Sequence, residues 1–576
     1  MNPQNIVSNE LVQDDSSVWV LKDHRNFGYS DGAESERYLA SVFSQARDLS
    51  AGSVELESHI KDWPSEYHLT SKRVQLLSGF QFDRQLKVLE VGCGCGAITR
   101  FLGETFDQVV SVEGSLNRAR LARQRTRDLN SVAVVCAPFQ EIQFTSKFDV
   151  VFCIGVLEYS ASFVAGDDPY DAALRYFADM LAPNGILIVA IENQFGLKYF
   201  NSAREDHLGT LFEGLEGYHR LPNKVRTFGR EELQRRIGRY FPAMQFYYPY
   251  PDYKLPDCVL AEEFVASGRG GELISQMHSR DYAGDLRPSW EESLVSLELA
   301  RNGALPFFAN SFLVVAGKQG LAGVAFGQQG VLFSPPRQAQ FRTRTTIAAE
   351  TPSHPLRVHK RSLRGSATAE SGPMRWRETH SDWIDSYSLQ TTLDLRCRSA
   401  RRSLQEIFEP CRDWLRMLQE QSTTHEGVRY LDGEYVDCTW SNVYPRDGGC
   451  TVVDREWSWA ERVRLNAVVI RAIYGFLHRL QAMRTPPAAL TGSSGAELIK
   501  KIGCALGVEL DKRDFEAFVG LESRLQAAVF GQPAKRHEIF LRWFLWNRSS
   551  LNSFRTARKH ALRLRASVRN RIARFA

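Results

Sequence analysis

Five short apolar runs separated by stretches of mixed polarity mark the first half of the chain. In "KVLEVGCGCG", Val88, Leu89 and Val91 lead through an acid into three glycines, Gly92, Gly94 and Gly96, spaced G-x-G-x-G. The run is short and β-branched and predicts a buried strand, while "AITRFLGETF" behind the glycines predicts a helix. Four more strands are predicted at "DQVVSVEG", "VAVVCAPFQEI", "FDVVFCIGVLEY" and "GILIVAIEN", the last following the turn "LAPNG". Strands alternating with helical segments predict an α/β domain built on a doubly wound parallel sheet. "FFANSFLVVA" reads as a later strand that closes it.

A glycine turn between strand and helix lets the backbone approach a ligand closely and leaves N–H groups free at the helix start. Glu113 ends the second strand 17 residues after Gly96. A carboxylate at that strand tip can accept both hydroxyls of a ribose.

With 576 residues the chain exceeds one ordinary core, so two or more domains are expected. No run approaches the roughly 18 consecutive apolar residues of a membrane span. The start, "MNPQNIVSNELVQDD", lacks a basic, then apolar leader. The ten cysteines form no matched C-x-x-C pairs and read as thiols in a reducing compartment, which places the chain in the cytoplasm. The net charge of +5 is uneven: residues 548–576 hold nine Arg or Lys and no acid, so the rest sums to −4.

These ordered motifs resemble the class I S-adenosylmethionine-dependent methyltransferases over roughly residues 60 to 265. Dehydrogenases share the fold but carry G-x-G-x-x-G, whereas here an acid stands two residues before the first glycine. The resemblance implies S-adenosylmethionine as cofactor. It puts Glu90, Gly92, Cys93, Gly94 and Gly96 around the methionine moiety and Glu113 on the ribose. Phe139, Ile154 and Gly155 would lie by the adenine, although Phe139 also reads as plain core. Upstream, "WPSEYHLTSKR" reads either as a lid that brings Tyr67 and His68 to the cofactor or as a helix start capped by Thr70 or Ser71.

Acceptor groups are expected beyond the carboxyl ends of strands four and five. The segment after strand five is rich in glycine, aromatic and charged residues and suits a substrate loop. Methylating a hydroxyl needs in-line approach and is helped by a base. Glu205, Asp206 and His207 in "REDHLG", with Tyr218 and His219, are of the right chemical types. This stretch, with "YPYPDYKLP" after it, resembles methyltransferases of bacterial surface polysaccharide and O-antigen assembly. That implies methyl transfer to a sugar hydroxyl or sugar phosphate, on an acceptor carried by a lipid.

After Lys318 a glycine- and glutamine-rich stretch reads as a linker or edge hairpin. The predicted organisation is a methyltransferase domain over 1–320 with an N-terminal lid, a linker over 321–340, a second α+β domain over 341–547 and a tail over 548–576. In "YVDCTWSNVYPRDGGCTVVDREWSW", Asp437 and Asn442 stand five apart, and a hairpin leads to Asp454. This resembles the catalytic loop and metal-binding acid of kinases, with Lys360 upstream as the phosphate-binding lysine. The two halves together resemble the methyltransferase-kinase chain terminators of O-antigen synthesis. The resemblance implies ATP and Mg2+ in the second domain, with Asp437 as base and Asn442 and Asp454 as metal ligands. The departures are Val436 where kinases carry His, Arg-Glu-Trp after Asp454, and no glycine-rich loop before Lys360.

In the tail, Phe554, Ala557, Ala561, Leu564, Val568, Ile572 and Phe575 recur at steps of three or four, leaving Arg and Lys on the other face. This predicts a basic amphipathic helix suited to an anionic membrane surface or a glycosyltransferase partner, with the chain peripheral on the inner membrane. Nucleic acid is not expected, because aromatic and basic residues do not interleave.

Overall fold

The computed structural model describes residues 2–547, apart from 23, 25–27, 31, 221–224, 283, 285–287, 336, 350–353, 399–401, 484, 485 and 492. The predicted tail helix lies outside the described residues. The chain divides into two compact units, Met1–Leu332 and Phe333–Ala576.

The first unit is built on a large mixed sheet. Its strands are β1 (Leu11–Gln13), β2 (Trp19–Leu21), β3 (Lys87–Val91), β4 (Gln108–Glu113), β5 (Val132–Cys136), β6 (Phe148–Ile154), β7 (Leu181–Glu192), β8 (Ala243–Tyr250), β9 (Cys258–Ala261) and β10 (Ser311–Gly317). They run in the order β1-β2-β5-β4-β3-β6-β7-β10-β8-β9. The strands β2, β5, β4, β3, β6 and β7 are parallel; β10, β8 and β9 continue the sheet antiparallel. The parallel core is a Rossmann-like arrangement. Its strands read as unbroken apolar runs because helices cover both faces, and Gly185–Glu192 of β7 is buried at every position.

Local chemistry sets the boundaries. The fourth predicted strand stops at Ile154, because Gly155 takes φ +72° and residues 157–159 form a 3-10 turn. "FFANSFLVVA" does not close the sheet: β10 inserts between β7 and β8. The helix α1 (Trp63–Leu69) is capped by Asp62, which accepts from the Ser65 N–H while Ser65 answers toward the Asp62 backbone. Thr70 ends that helix and its hydroxyl accepts from the Lys72 N–H at 3.3 Å where the short helix Lys72–Gln75 begins, whereas Ser71 makes no capping bond. The predicted linker is in part an edge: Val324–Ala325 pairs with Gln81–Phe82, and the boundary between units falls at 332/333.

The second unit opens with three antiparallel strands, β11 (Thr343–Ala348), β12 (Arg357–Ser362) and β13 (Thr379–Asp382). A further hairpin, β14 (Val443–Arg446) with β15 (Gly449–Val452), precedes the long helices α3 (Leu465–Ala482), α4 (Gly495–Leu506) and α5 (Lys512–Phe530), introduced here with α2 (Ala97–Thr105) of the first unit. Its core gathers Trp376, Trp414 and Trp440 with Phe476 and Phe518.

The glycine turn is tightly packed. Gly96 stands at φ +84° directly before α2, and a Cβ there would lie 2.7 Å from the Cα of Ala122. Left-handed backbone and a clash against main chain add, so Gly96→Ala is expected to lower unfolding free energy by about 2–4 kcal/mol. Urea denaturation measures it, and an unchanged midpoint would contradict this account of the turn.

Candidate functional site

A cavity of about 360 Å³ opens at the carboxyl ends of β3, β4, β5 and β6. Beyond β3 the chain enters the glycine turn, where a Cβ on Gly92 would stand 2.5 Å from a methyl of Val156. The turn is held from β4: Glu113 accepts from the Gly94 N–H at 2.8 Å through one oxygen and from the Ser115 N–H at 2.9 Å through the other. Each oxygen keeps a lone pair for a further donor. Glu90 is buried and accepts from Thr99 and Ser111 hydroxyls at 2.8 and 2.7 Å. Burial pushes it up to about 7, against the pull of those hydroxyls.

Cys93, Gly94, Ile154 and Gly155 also line the cavity, as do Tyr67 and His68 from α1. Phe139 lines it too, half-buried, with its ring 5.4 and 5.5 Å from those of Tyr176 and Phe177, so it serves cavity wall and core at once. Arg73, buried just after α1, stacks over Tyr67 and donates to the Lys254 carbonyl, while its Nε has no partner.

The opposite wall is a buried charge network. His207 bonds Tyr159 Oη at 2.9 Å through Nδ1 and Glu192 at 3.1 Å through Nε2. Burial works against its charged form, but the Glu192 carboxylate holds it up at about 9. Lys254 donates to Glu192 and, at 2.6 Å, to Asp206, whose carboxylate also receives Lys198 at 2.8 and 2.9 Å. Burial opposes ionisation of Glu192, yet Lys254 and His207 draw it well below the usual carboxylate range. Glu158, on the turn after β6, is fully buried and lines the cavity. Burial, then the charge of Glu192, pushes it up to about 8.

Among the expected acceptor residues, the fold brings Asp206 and His207 to the cavity. Glu205 and Tyr218 stand behind it. Glu205 accepts from the backbone N–H groups of His207 and Leu208 at 2.8 and 2.7 Å, which shapes the loop, and Tyr218 bonds Thr227 at 2.5 Å. His219 is exposed and does not line the cavity. Glu158, Glu192, Lys254, Arg73 and Tyr159 were not legible as site residues, although "VLEY", "AIEN" and "YPDYK" carry four of them at or just beyond strand ends.

Glu158, Glu192 and His207 bring ligand atoms within 4.8 Å of one another, a spacing a divalent ion could use. The Lys254 ammonium already sits on Glu192, and both His207 nitrogens are engaged. A side-chain cation therefore supplies the charge there.

In the second unit, Lys360 on β12 pairs with Asp454 and, at 3.3 Å, with the buried Glu456. Burial opposes its charge, but the two acids raise it. Asn442 donates to the carbonyl and carboxylate of Asp437 at 3.0 and 3.2 Å, and Arg471 of α3 takes the other carboxylate oxygen at 2.6 Å. The predicted base and metal ligands are thus spent on side-chain partners. Asp454 stands at φ +57°, an unusual conformation for a residue other than glycine.

Residues 89–189 match the family model described as a methyltransferase domain. The chain is 29% identical over 111 residues to the ubiquinone biosynthesis O-methyltransferase of Bradyrhizobium diazoefficiens, covering 19% of this chain and 41% of that protein. It is 27% identical over 124 residues to the dTDP-3-amino-3,6-dideoxy-alpha-D-glucopyranose N,N-dimethyltransferase of Streptomyces fradiae, covering 22% and 46%. The chain thus spans less than half the length of these curated relatives. Among solved structures, N-methyltransferase NodS from Bradyrhizobium japonicum with S-adenosyl-l-homocysteine is similar at 19% identity and a TM-score of 0.20, covering 28% of this chain and 74% of that one. The first unit carries a methyltransferase domain.

Proposed function

We propose that the chain transfers a methyl group from S-adenosylmethionine to a sugar hydroxyl or sugar phosphate in bacterial surface polysaccharide (O-antigen) biosynthesis. One observation carries the reading: a single cavity joins the glycine turn with Glu90 and Glu113 to the polar wall of Glu158, His207 and Asp206. The residues present fit the cofactor. Gly92 lines the cavity with bare backbone because a side chain there would run into Val156, and Arg73 offers a buried guanidinium with an unpartnered Nε. Glu90 would meet the methionine ammonium, Arg73 its carboxylate, and Glu113 the ribose hydroxyls, with the adenine beside Phe139 and Ile154. When bound, the cofactor supplies an electrophilic methyl on a sulfonium centre. The buried wall excludes water and holds acceptor groups in line, so positioning contributes much of the rate. The sugar acceptor rests on the sequence resemblance, in keeping with the nucleotide-sugar name of one relative.

The alternative readings are a bifunctional kinase-methyltransferase chain terminator and a membrane-associated scaffold that regulates a glycosyltransferase. The pairings of Lys360 with Asp454 and of Asp437 with Asn442 favour a kinase-like second unit. ATP and Mg2+ would have to displace Lys360 from Asp454 and Arg471 from Asp437.

Glu113→Ala removes a charged acceptor and two clamps on the turn, and is expected to weaken S-adenosylmethionine binding by about 1.5–3 kcal/mol. Calorimetry on the folded variant measures it; unchanged affinity would defeat the assignment. If the second unit takes ATP with magnesium, a concentration 100-fold above Kd adds about 2.7 kcal/mol of stability. A melting temperature that stays put at millimolar ATP and magnesium would end the kinase reading. Truncation before Arg548 is expected to release the chain from anionic vesicles at low salt, since each cation near such a surface contributes about 1 kcal/mol. Equal flotation of truncated and full-length chains would move the tail's role to partner docking. Loss of methyl groups from surface glycan in a deletion strain, read by mass spectrometry, tests the acceptor.

A further inference from the structure

We propose that Glu158, through Oε2, takes the proton of the methyl acceptor, so that the acceptor presents an O–H or N–H group rather than a phosphate oxygen. The inference rests on the methyl-donor reading above and narrows it. Four groups on the polar wall carry a basic atom, and their partners separate them. His207 has both ring nitrogens engaged, by Tyr159 and Glu192. Glu192 holds Lys254 and His207, and Asp206 holds Lys198 and Lys254. Glu158 differs. Its Oε1 receives only a long bond from Tyr253 at 3.4 Å, and Oε2 is buried without a hydrogen-bond partner although the residue lines the cavity.

An unmade hydrogen bond at a buried carboxyl is costly, and a ligand donor can supply it. The titratable and charged groups facing Glu158 are Glu192 at the end of β7, His207 on the loop that follows, Tyr253 and Lys254 on the loop after β8, Cys153 on β6, the adjacent Tyr159, and Tyr170 on the helix Pro169–Met180. Lys254 and His207 are already bound to Glu192, so no cation is dedicated to Glu158. Burial favours its neutral form at neutral pH, and a sulfonium arriving in the same cavity favours the charged one.

The step balances as follows. The acceptor oxygen or nitrogen forms a bond to the methyl carbon, the methyl–sulfur pair stays on sulfur, and sulfur becomes a neutral thioether. The acceptor proton passes to Glu158 Oε2 and later to water. A phosphate oxygen is largely deprotonated at neutral pH, so it needs no base, and it would bring further negative charge to a wall of carboxylates.

Calorimetry tests the inference without knowledge of the acceptor. Binding of S-adenosylmethionine and of S-adenosylhomocysteine, which lacks the sulfonium charge, is measured at pH 7 in buffers of different ionisation enthalpy. The unaltered chain is expected to release close to one proton with the sulfonium ligand and markedly less with the thioether. Glu158→Gln, close in size and neutral, should bind both ligands yet lose that difference, whereas His207→Gln should keep it. Proton release that persists in Glu158→Gln, or disappears in His207→Gln alone, overturns the proposal. No binding by the unaltered chain would remove the methyl-donor reading itself and this inference with it. As a second arm, labelled methyl transfer to surface glycan from a deletion strain should fall at least 100-fold in Glu158→Gln, the smaller end of proton-transfer effects. Full activity of that variant would also overturn it.

Discussion

Glu192 and Asp206 are buried carboxylates that share one ammonium, that of Lys254, and the acceptor side of the cavity hangs on that arrangement. Removing one partner of such a group leaves an uncompensated buried charge, at a cost of about 3–5 kcal/mol. The bridge ties three places together: the tip of β7, the loop after it and the loop after β8. Arg73 adds a fourth by donating to the Lys254 carbonyl. Once Glu192 is fixed and ionised, it orients His207, and His207 orients Tyr159. The wall that an acceptor meets is thus set by electrostatics, whereas the donor side is set by backbone. There Glu113 clamps the glycine turn through two N–H groups, and steric limits at Gly92 and Gly96 leave no room for side chains.

That difference explains what could be read in advance. Strands buried on both faces announce themselves as apolar runs, and a turn that needs left-handed backbone announces itself as glycine, so the Rossmann-like core and the glycine-turn half of the cavity were legible. Glu192 and Lys254 meet across 62 residues. The chain holds 67 acids, and nothing local marks Glu192 as the one that will be buried beside an ammonium. Glu205 and Tyr218 show the reverse error. Their residue types suit proton transfer, but Glu205 is consumed by two backbone N–H groups and Tyr218 by Thr227, so both act on loop shape. The cap of α1 was not foreseen for a simpler reason: Asp62 lies one residue before the quoted segment, and its bond to Ser65 decides where the helix begins.

The second unit separates local from distant information in the same way. Asp437 and Asn442 stand five apart at the foot of a hairpin, and their mutual hydrogen bonds follow from that spacing. Arg471 and Glu522 do not. Arg471, half-buried, lies between the half-buried Asp437 and the buried Glu522, and its guanidinium is held charged by them against the cost of burial. Lys360 likewise faces two acids rather than an open phosphate site. The residues whose spacing resembles a phosphoryl-transfer site are thus each spent on a neighbouring side chain.

On the polar wall of the cavity the balance is left open at Glu158. Lys198 and Lys254 match Asp206 and Glu192 in charge, which leaves His207 and Glu158 as the remaining ionisable pair. His207 is held in its charged form by Glu192, and Glu158 is pushed toward its neutral form by burial and by the same Glu192. A partner for Glu158 was within chemical reach, since a lysine or arginine on any of the surrounding loops would have ionised it permanently. Such a fixed partner would have lowered its basicity. Without one, Glu158 can change charge with what enters the cavity: neutral while the wall is closed on itself, ionised beside a cation, and neutral again once a proton has come from the acceptor and the cationic charge has gone.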